Sequence, residues 1–200
     1  MKQMKLFHFT VLFFSIVLFL SFTASSNAQM QQKPKKPRLS LKAGVFQRIG
    51  VDTDVNISYS RPGVKGRKIW GGLVPYGLAP GTKESKDKPF PWRGGANECT
   101  TIDISKDVTV DGHKLPAGKY SVQFIPEPKE WTVIFNKDTT LWGSFLYNDK
   151  DDILRFKVTP VEAPFHEWLS YGFDNLNGNS CTAYMVWEKL KVPFKIETTD

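Results

Sequence analysis

The chain has 200 residues, of which 40% are hydrophobic, 24% charged and 14% aromatic, and its formal net charge is +7. That length suits one domain of ordinary size or two small ones, and the average charge and Gly/Pro usage exclude collagen-like, low-complexity and wholly disordered classes. Two cysteines are too few for a disulfide scaffold or, alone, a structural zinc site, and the excess of cations is too mild to point to nucleic acid.

Lys2 and Lys5 open the chain with positive charge, and Phe9 to Phe22 is almost wholly apolar and uncharged. That run is about 14 residues long, where a membrane-spanning helix needs about 20. Ser26-Asn27-Ala28 then places small residues where a signal peptidase reads. Residues 1–28 are therefore expected to be a signal peptide, cleaved after Ala28. A periplasmic or secreted protein without a membrane span follows. Gln29 to Arg38 holds two prolines and four cations with no apolar partner, so residues 29–40 read as a flexible basic linker. A single domain is expected over 41–197.

Within that domain apolar residues recur at every second position. Val55, Ile57 and Tyr59 alternate with Asn56 and Ser58, and Ile102 and Ile104 with Thr101 and Asp103. Tyr120, Val122 and Phe124 follow, then Trp131, Val133 and Phe135, then Leu154, Phe156 and Val158. Leu169, Tyr171 and Phe173 continue the series, and Val192, Phe194 and Ile196 close it. Side chains two apart share a sheet face, so each segment has one apolar and one wetter side. Ala183 to Trp187 is apolar on both faces, as a central strand would be.

Asp111-Gly112 and Asn177-Gly178 read as two-residue hairpin turns. Pro116-Ala117-Gly118 and Asn148-Asp149-Lys150 are further breaks. Arg67 to Leu73 is the one place where a helical turn is expected. The prediction is an all-β fold, an antiparallel β-sandwich of about 8–10 short strands, with a barrel as the alternative.

Several ordered motifs run through this domain: Tyr59-Ser60-Arg61-Pro62, Lys65-Gly66-Arg67-Lys68-Ile69-Trp70-Gly71, Val74-Pro75-Tyr76-Gly77, and Trp92-Arg93-Gly94-Gly95-Ala96-Asn97-Glu98. Leu115 to Tyr120, Trp131 to Lys137, Trp142-Gly143 and Trp187 to Phe194 continue them. On these the chain resembles, from roughly Val45 to Ile196, the exported bacterial family catalogued as domain of unknown function 2911. The resemblance implies a bacterial exported protein and brings no established activity. Against the family pattern, Leu78 to Pro91 is an intervening stretch, expected to be a mobile loop. Cys99 stands where the family has alanine and Gly94 where it has threonine.

The chemistry-bearing candidates gather around these motifs. If the strand of Ile102 and Ile104 begins near Glu98, then Glu98 shares its apolar face, and Arg61 relates in the same way to Ile57 and Tyr59. Inward charges need partners, because an unpaired buried charge is costly. Arg61, Arg93, Asn97 and Glu98 are therefore expected to converge at one end of the sandwich, with Trp92 at the rim and Arg67 a further donor and ligand-binding candidate nearby. They would form a ligand pocket or a structural ion-pair network. Trp70 and Trp142 are further ring platforms, with core packing the plainer reading. Cys99 and Cys181 offer the one intramolecular disulfide, although their side chains fall on different faces. His113 and His166 lack metal-motif spacing, and no phosphate loop, dinucleotide fingerprint or nucleophile elbow is present. No cofactor and no metal is expected.

Two functions compete. One is a non-catalytic envelope β-sandwich that binds a small polar ligand, a glycan or a partner protein. The other is a hydrolase of envelope glycans or esters using Glu98 as acid or base. A glycosidase needs two carboxylates flanking the bond, and Asp103 points away from Glu98. A purely structural role is the third reading.

Overall fold

The computed structural model describes residues 36–199. The chain divides into Met1–Pro37 and Arg38–Asp200, and the fold is that of the second unit. The expected signal peptide and residues 29–35 of the expected linker lie outside the described residues.

The unit is an antiparallel β-sandwich. Its strands are β1 (Leu41–Ile49), β2 (Thr53–Arg61), β3 (Thr100–Ile104), β4 (Val108–Val110), β5 (His113–Leu115), β6 (Gly118–Ile125), β7 (Trp131–Asn136), β8 (Asp152–Val158), β9 (Val161–Asn177) and β10 (Ser180–Thr198). One sheet has the order β1-β2-β3-β6-β7-β8 and the other β5-β4-β10-β9. Period-two patterning drives this pairing. Val55 and Ile57 of β2, Ile102 and Ile104 of β3, and Val122 and Phe124 of β6 are buried on one face, whereas Asn56 and Asp103 reach water. They meet Leu169, Tyr171, Ala183, Met185, Trp187 and Phe194 from the second sheet. Each large apolar side chain so buried contributes about 1.5–3 kcal/mol.

Three local expectations are corrected. The strands are not all short, since β9 has 17 residues and β10 has 19. The Ala183 and Val192 segments are one strand bent at Glu188, where φ is +55° and the register with β9 shifts on both sides. At Ala183–Trp187 this strand pairs with β9, while β4 joins it only at Ile196–Thr198. Arg67 to Leu73 forms successive turns and not a helix, with the amide of Gly72 bonded to Ile69 and that of Leu73 to Lys68.

The wetter face of β6 and β7 is also dry. Ser121, Gln123, Ile134 and Asn136 are fully buried. Asn136 Nδ2 donates to the Asn148 carbonyl at 2.9 Å and to Asp152 at 2.8 Å. The Asp111-Gly112 hairpin forms as expected, with both residues at positive φ. The β9–β10 turn sits one residue later than expected, since Asn177 pairs with Ser180. The Leu78–Pro91 stretch is a closed loop: Ala79 and Phe90 exchange backbone hydrogen bonds of 2.8 and 3.1 Å, and buried Ser85 bonds the carbonyls of Thr82 and Lys88.

Cys99 and Cys181 are free thiols, both buried. Cys99 precedes β3 and donates to the Thr139 carbonyl at 3.4 Å, whereas Cys181 lies on β10 in the other sheet. Their separate places, one in the segment before β3 and the other on a strand of the second sheet, go with their being unpaired. Burial raises both thiol pKa values, that of Cys181 to about 11 with help from Asp174. Without reductant, the native protein should react slowly with a thiol reagent and release two thiols per chain on unfolding. A product 2 Da lighter than the reduced mass would show a disulfide instead.

One contact between the sheets can be probed directly. Tyr171 donates to the Gly94 carbonyl at 2.8 Å, and its ring lies 4.8 Å from that of Tyr59. Gly94 has φ +62°, and a Cβ there would stand 2.5 Å from the Tyr171 oxygen and 2.6 Å from Phe124. Gly94→Ala should cost about 2–4 kcal/mol, combining left-handed backbone strain with overpacking. Denaturant unfolding measures this, and a loss below about 0.5 kcal/mol would contradict the packing described.

Candidate functional site

The site is organised by one loop. β3 pairs Thr100 with Val122 of β6, and an uninterrupted strand would next place residue 98 beside Phe124. Trp92 occupies that place, exchanging two 2.8 Å backbone hydrogen bonds with Phe124. The chain from Arg93 to Cys99 is thus looped out of a strand that resumes at Thr100. Gly94 and Asn97, both at φ +62°, supply the reversals, which glycine and asparagine tolerate best. The loop is tied from several sides. The Gly94 carbonyl accepts from Thr100 Oγ1 and Tyr171 Oη, Arg93 donates to the Asn97 carbonyl at 2.8 Å, and Asn97 Nδ2 donates to Ser40 at 3.2 Å.

This loop and the Lys65–Val74 turns enclose a cleft of about 290 Å³. Arg67, Trp92, Arg93 and Asn97 line it, together with Ser40, Pro62, Leu73, Val74 and Trp187. A neighbouring hollow of about 210 Å³ shares Leu73, Trp92 and Arg93 as its wall. Behind the cleft stands a cluster of four tryptophans. Trp70 lies 5.7 Å from Trp92, 4.9 Å from Trp131 and 5.9 Å from Trp187, all edge-on, while Trp92 and Trp187 are nearly parallel at 6.0 Å. Such a cluster fixes the Trp92 ring at the cleft wall. Trp70 belongs to this packing, and its buried indole nitrogen has no partner.

Four of the six expected site residues therefore come together, and two do not. Arg61 crosses to the second sheet, where Nε donates to the Leu169 carbonyl at 3.0 Å and Nη2 to Ser170 Oγ at 2.6 Å. The inward direction expected for it holds, but its partners are neutral. Glu98 is not turned toward the core, because the looping-out breaks the alternation on which that expectation rests. It pairs through the backbone with Trp142 and is 36% exposed, receiving both of its short contacts, 2.6 and 2.8 Å, from Arg38. That hydrogen-bonded guanidinium holds the Glu98 carboxyl below the usual carboxylate range.

Arg93 is half-buried. Its guanidinium lies over the Phe145 ring at 5.3 Å and beside Gly143, where a Cβ would come within 2.7 Å of it. Burial pushes its pKa down. Arg67 stands on the rim and braces its own turn, with Nε bonded to the Val64 carbonyl at 3.1 Å and Nη2 to that of Gly63 at 2.6 Å. Trp142 lies exposed on a separate groove of about 430 Å³ with Glu84 and Asp138. Among the described residues no group of three His, Cys, Asp or Glu side chains is placed to hold a metal ion, and no helix is long and apolar enough to cross a membrane.

Sequence reasoning missed Ser40, Pro62, Leu73, Val74 and Trp187 as lining. It also missed the looped-out segment, for which Gly94-Gly95 and Asn97 are the available signal.

No curated protein and no solved structure matches the chain. The family described as "Protein of unknown function (DUF2911)" matches residues 40–196, a span that takes in the whole sandwich from just before β1 to within β10 and every lining residue of the cleft; the chain belongs to that family.

Proposed function

We propose that this domain is a non-catalytic binding module of the bacterial cell envelope that holds a small polar ligand in the Arg67–Trp92–Arg93–Asn97 cleft. The observation that carries this reading is the cleft itself, where fixed cationic and amide donors converge beside a rigid indole wall. Binding sites commonly join an apolar, aromatic lining to a few placed polar groups in this way. A volume of about 290 Å³ suits one ring-sized molecule better than a partner protein's surface. Export belongs to the same reading and rests on the leader-like residues 1–28. Its test is an intact mass beginning at Gln29 in the envelope fraction.

The hydrolase reading has less support. Glu98 is not among the cleft's lining residues, and no Asp or Glu joins them. A carboxyl held low by Arg38 carries no proton to donate near neutral pH.

A screen of neutral and charged sugars and small metabolites, read by tryptophan fluorescence and calorimetry, tests the binding reading. Asn97→Gly keeps the left-handed backbone and removes the amide. It should weaken binding about five- to tenfold, the worth of a hydrogen bond of about 1–1.5 kcal/mol. Glu98→Gln should leave binding intact and change stability by less than about 1 kcal/mol, as for an exposed ion pair. Loss of binding or turnover in Glu98→Gln, with Asn97→Gly unaffected, would move the function from the cleft to the carboxylate.

A further inference from the structure

The two arginines of the cleft share an electrostatic problem. Among the described residues neither Arg67 nor Arg93 has a carboxylate partner, and no acidic side chain lines the cleft. The other cations with ion pairs sit elsewhere, Arg38 on Glu98 and Arg48 on Asp54 among them. Arg93 is the more exposed to this cost, because its guanidinium is wedged between Gly143 and Phe145 and only one of its N–H groups is used, on the Asn97 carbonyl. Unlike Arg61, which neutral acceptors on β9 satisfy, half-buried Arg93 keeps most of its N–H groups unengaged and has no counter-charge, so it is placed to take an anion. Arg67 holds two backbone carbonyls through Nε and Nη2, which leaves Nη1 unengaged. Guanidinium forks match planar carboxylates and phosphate oxygens.

The rest of the lining describes the remainder of the ligand. Trp92 offers a fixed flat wall, and Asn97, whose Nδ2 is held by Ser40 and whose backbone carbonyl takes Arg93, keeps its side-chain Oδ1 free to accept a hydroxyl. Resting on the reading that this cleft is a ligand site, we propose that its ligand is an anionic monosaccharide: the carboxylate or phosphate sits between Arg67 and Arg93, and the ring lies against Trp92.

The test is calorimetric titration of the mature protein with glucuronate, glucose 6-phosphate and glucose, at low salt and in 0.5 M NaCl. Glucuronate and glucose 6-phosphate separate a carboxylate from a phosphate source. At least one of the two should bind, and glucose should bind at least tenfold more weakly. Raising the salt should weaken the charged ligand. Arg67→Gln is the diagnostic variant, since Arg67 lies on the rim outside the core; it should weaken the charged ligand at least tenfold while the melting temperature falls by a few degrees at most, for the loss of its bonds to the Val64 and Gly63 carbonyls. Arg93→Lys, which keeps the charge and removes the fork, should weaken it as well. Glucose binding as tightly as the charged sugars, and lost in Asn97→Gly, keeps the binding reading and overturns the anionic class. Charged sugars binding undiminished to Arg67→Gln and Arg93→Lys overturn it too. Binding of none of the three overturns both the class and the cleft as a sugar site.

Discussion

The pairing of Trp92 with Phe124, two residues along β6 from where Thr100 pairs with Val122, constrains everything else about the site. Two chain positions eight residues apart are held at neighbouring rungs of one ladder, so the residues between them must leave the sheet. Where they go is set by the left-handed residues Gly94 and Asn97 and by hydrogen bonds from Tyr171, Thr100 and Arg93. The loop is thus backbone-bonded at its base and side-chain-bonded at its crest. That is how an irregular segment can hold functional groups as firmly as a strand does.

Packing and electrostatics reinforce one another there. The tryptophan cluster buries aromatic surface where the looped-out segment meets the second sheet, and it fixes the Trp92 wall through Trp187 of β10. Arg93, set against Phe145 and Gly143, loses water there, which lowers its pKa. Arg61 meets a comparable situation differently, using a carbonyl and a hydroxyl of β9. A guanidinium spreads its charge over several N–H groups and is weakly hydrated, so neutral acceptors can satisfy it. Glu98 stands outside with Arg38.

Much of the sandwich was legible in the sequence because alternation records burial directly: Val55, Ile57, Ile102 and Ile104 read inward and are inward. The same rule failed at Glu98, since parity carries through a strand only while the strand is continuous. Gly94-Gly95 and Asn97 signalled the break but not that Trp92 would take the vacated rung. Arg61 was legible as inward but not its partners, because carbonyls at Leu169 carry no sequence signature. β10 was read as two segments because the bend at Glu188 uses a residue type that does not announce a left-handed backbone. The buried second face of β6 is not legible in the sequence, because Ser121 and Gln123 read as solvent-facing and are fully buried. The expected convergence rests on Arg61 and Glu98 meeting as inward opposite charges, and they do not meet; Arg67, Trp92, Arg93 and Asn97 line one cleft with Ser40 and Trp187, which only the tertiary fold brings in.

The cleft therefore draws on both extremities of the domain, from Ser40 just before β1 to Trp187 in β10. A chain emerging from the ribosome presents both arginines and the tryptophan of the loop long before β9 and β10 exist. At that stage Gly94 lacks Tyr171, Arg61 lacks Leu169 and Trp92 lacks Trp187. Such long-range closure makes for slow folding, and the cleft exists only once β10 has joined the sandwich. The cleft is a property of the finished molecule only, and a partly made or clipped chain without its last hairpin carries the same basic and aromatic residues with no cleft between them.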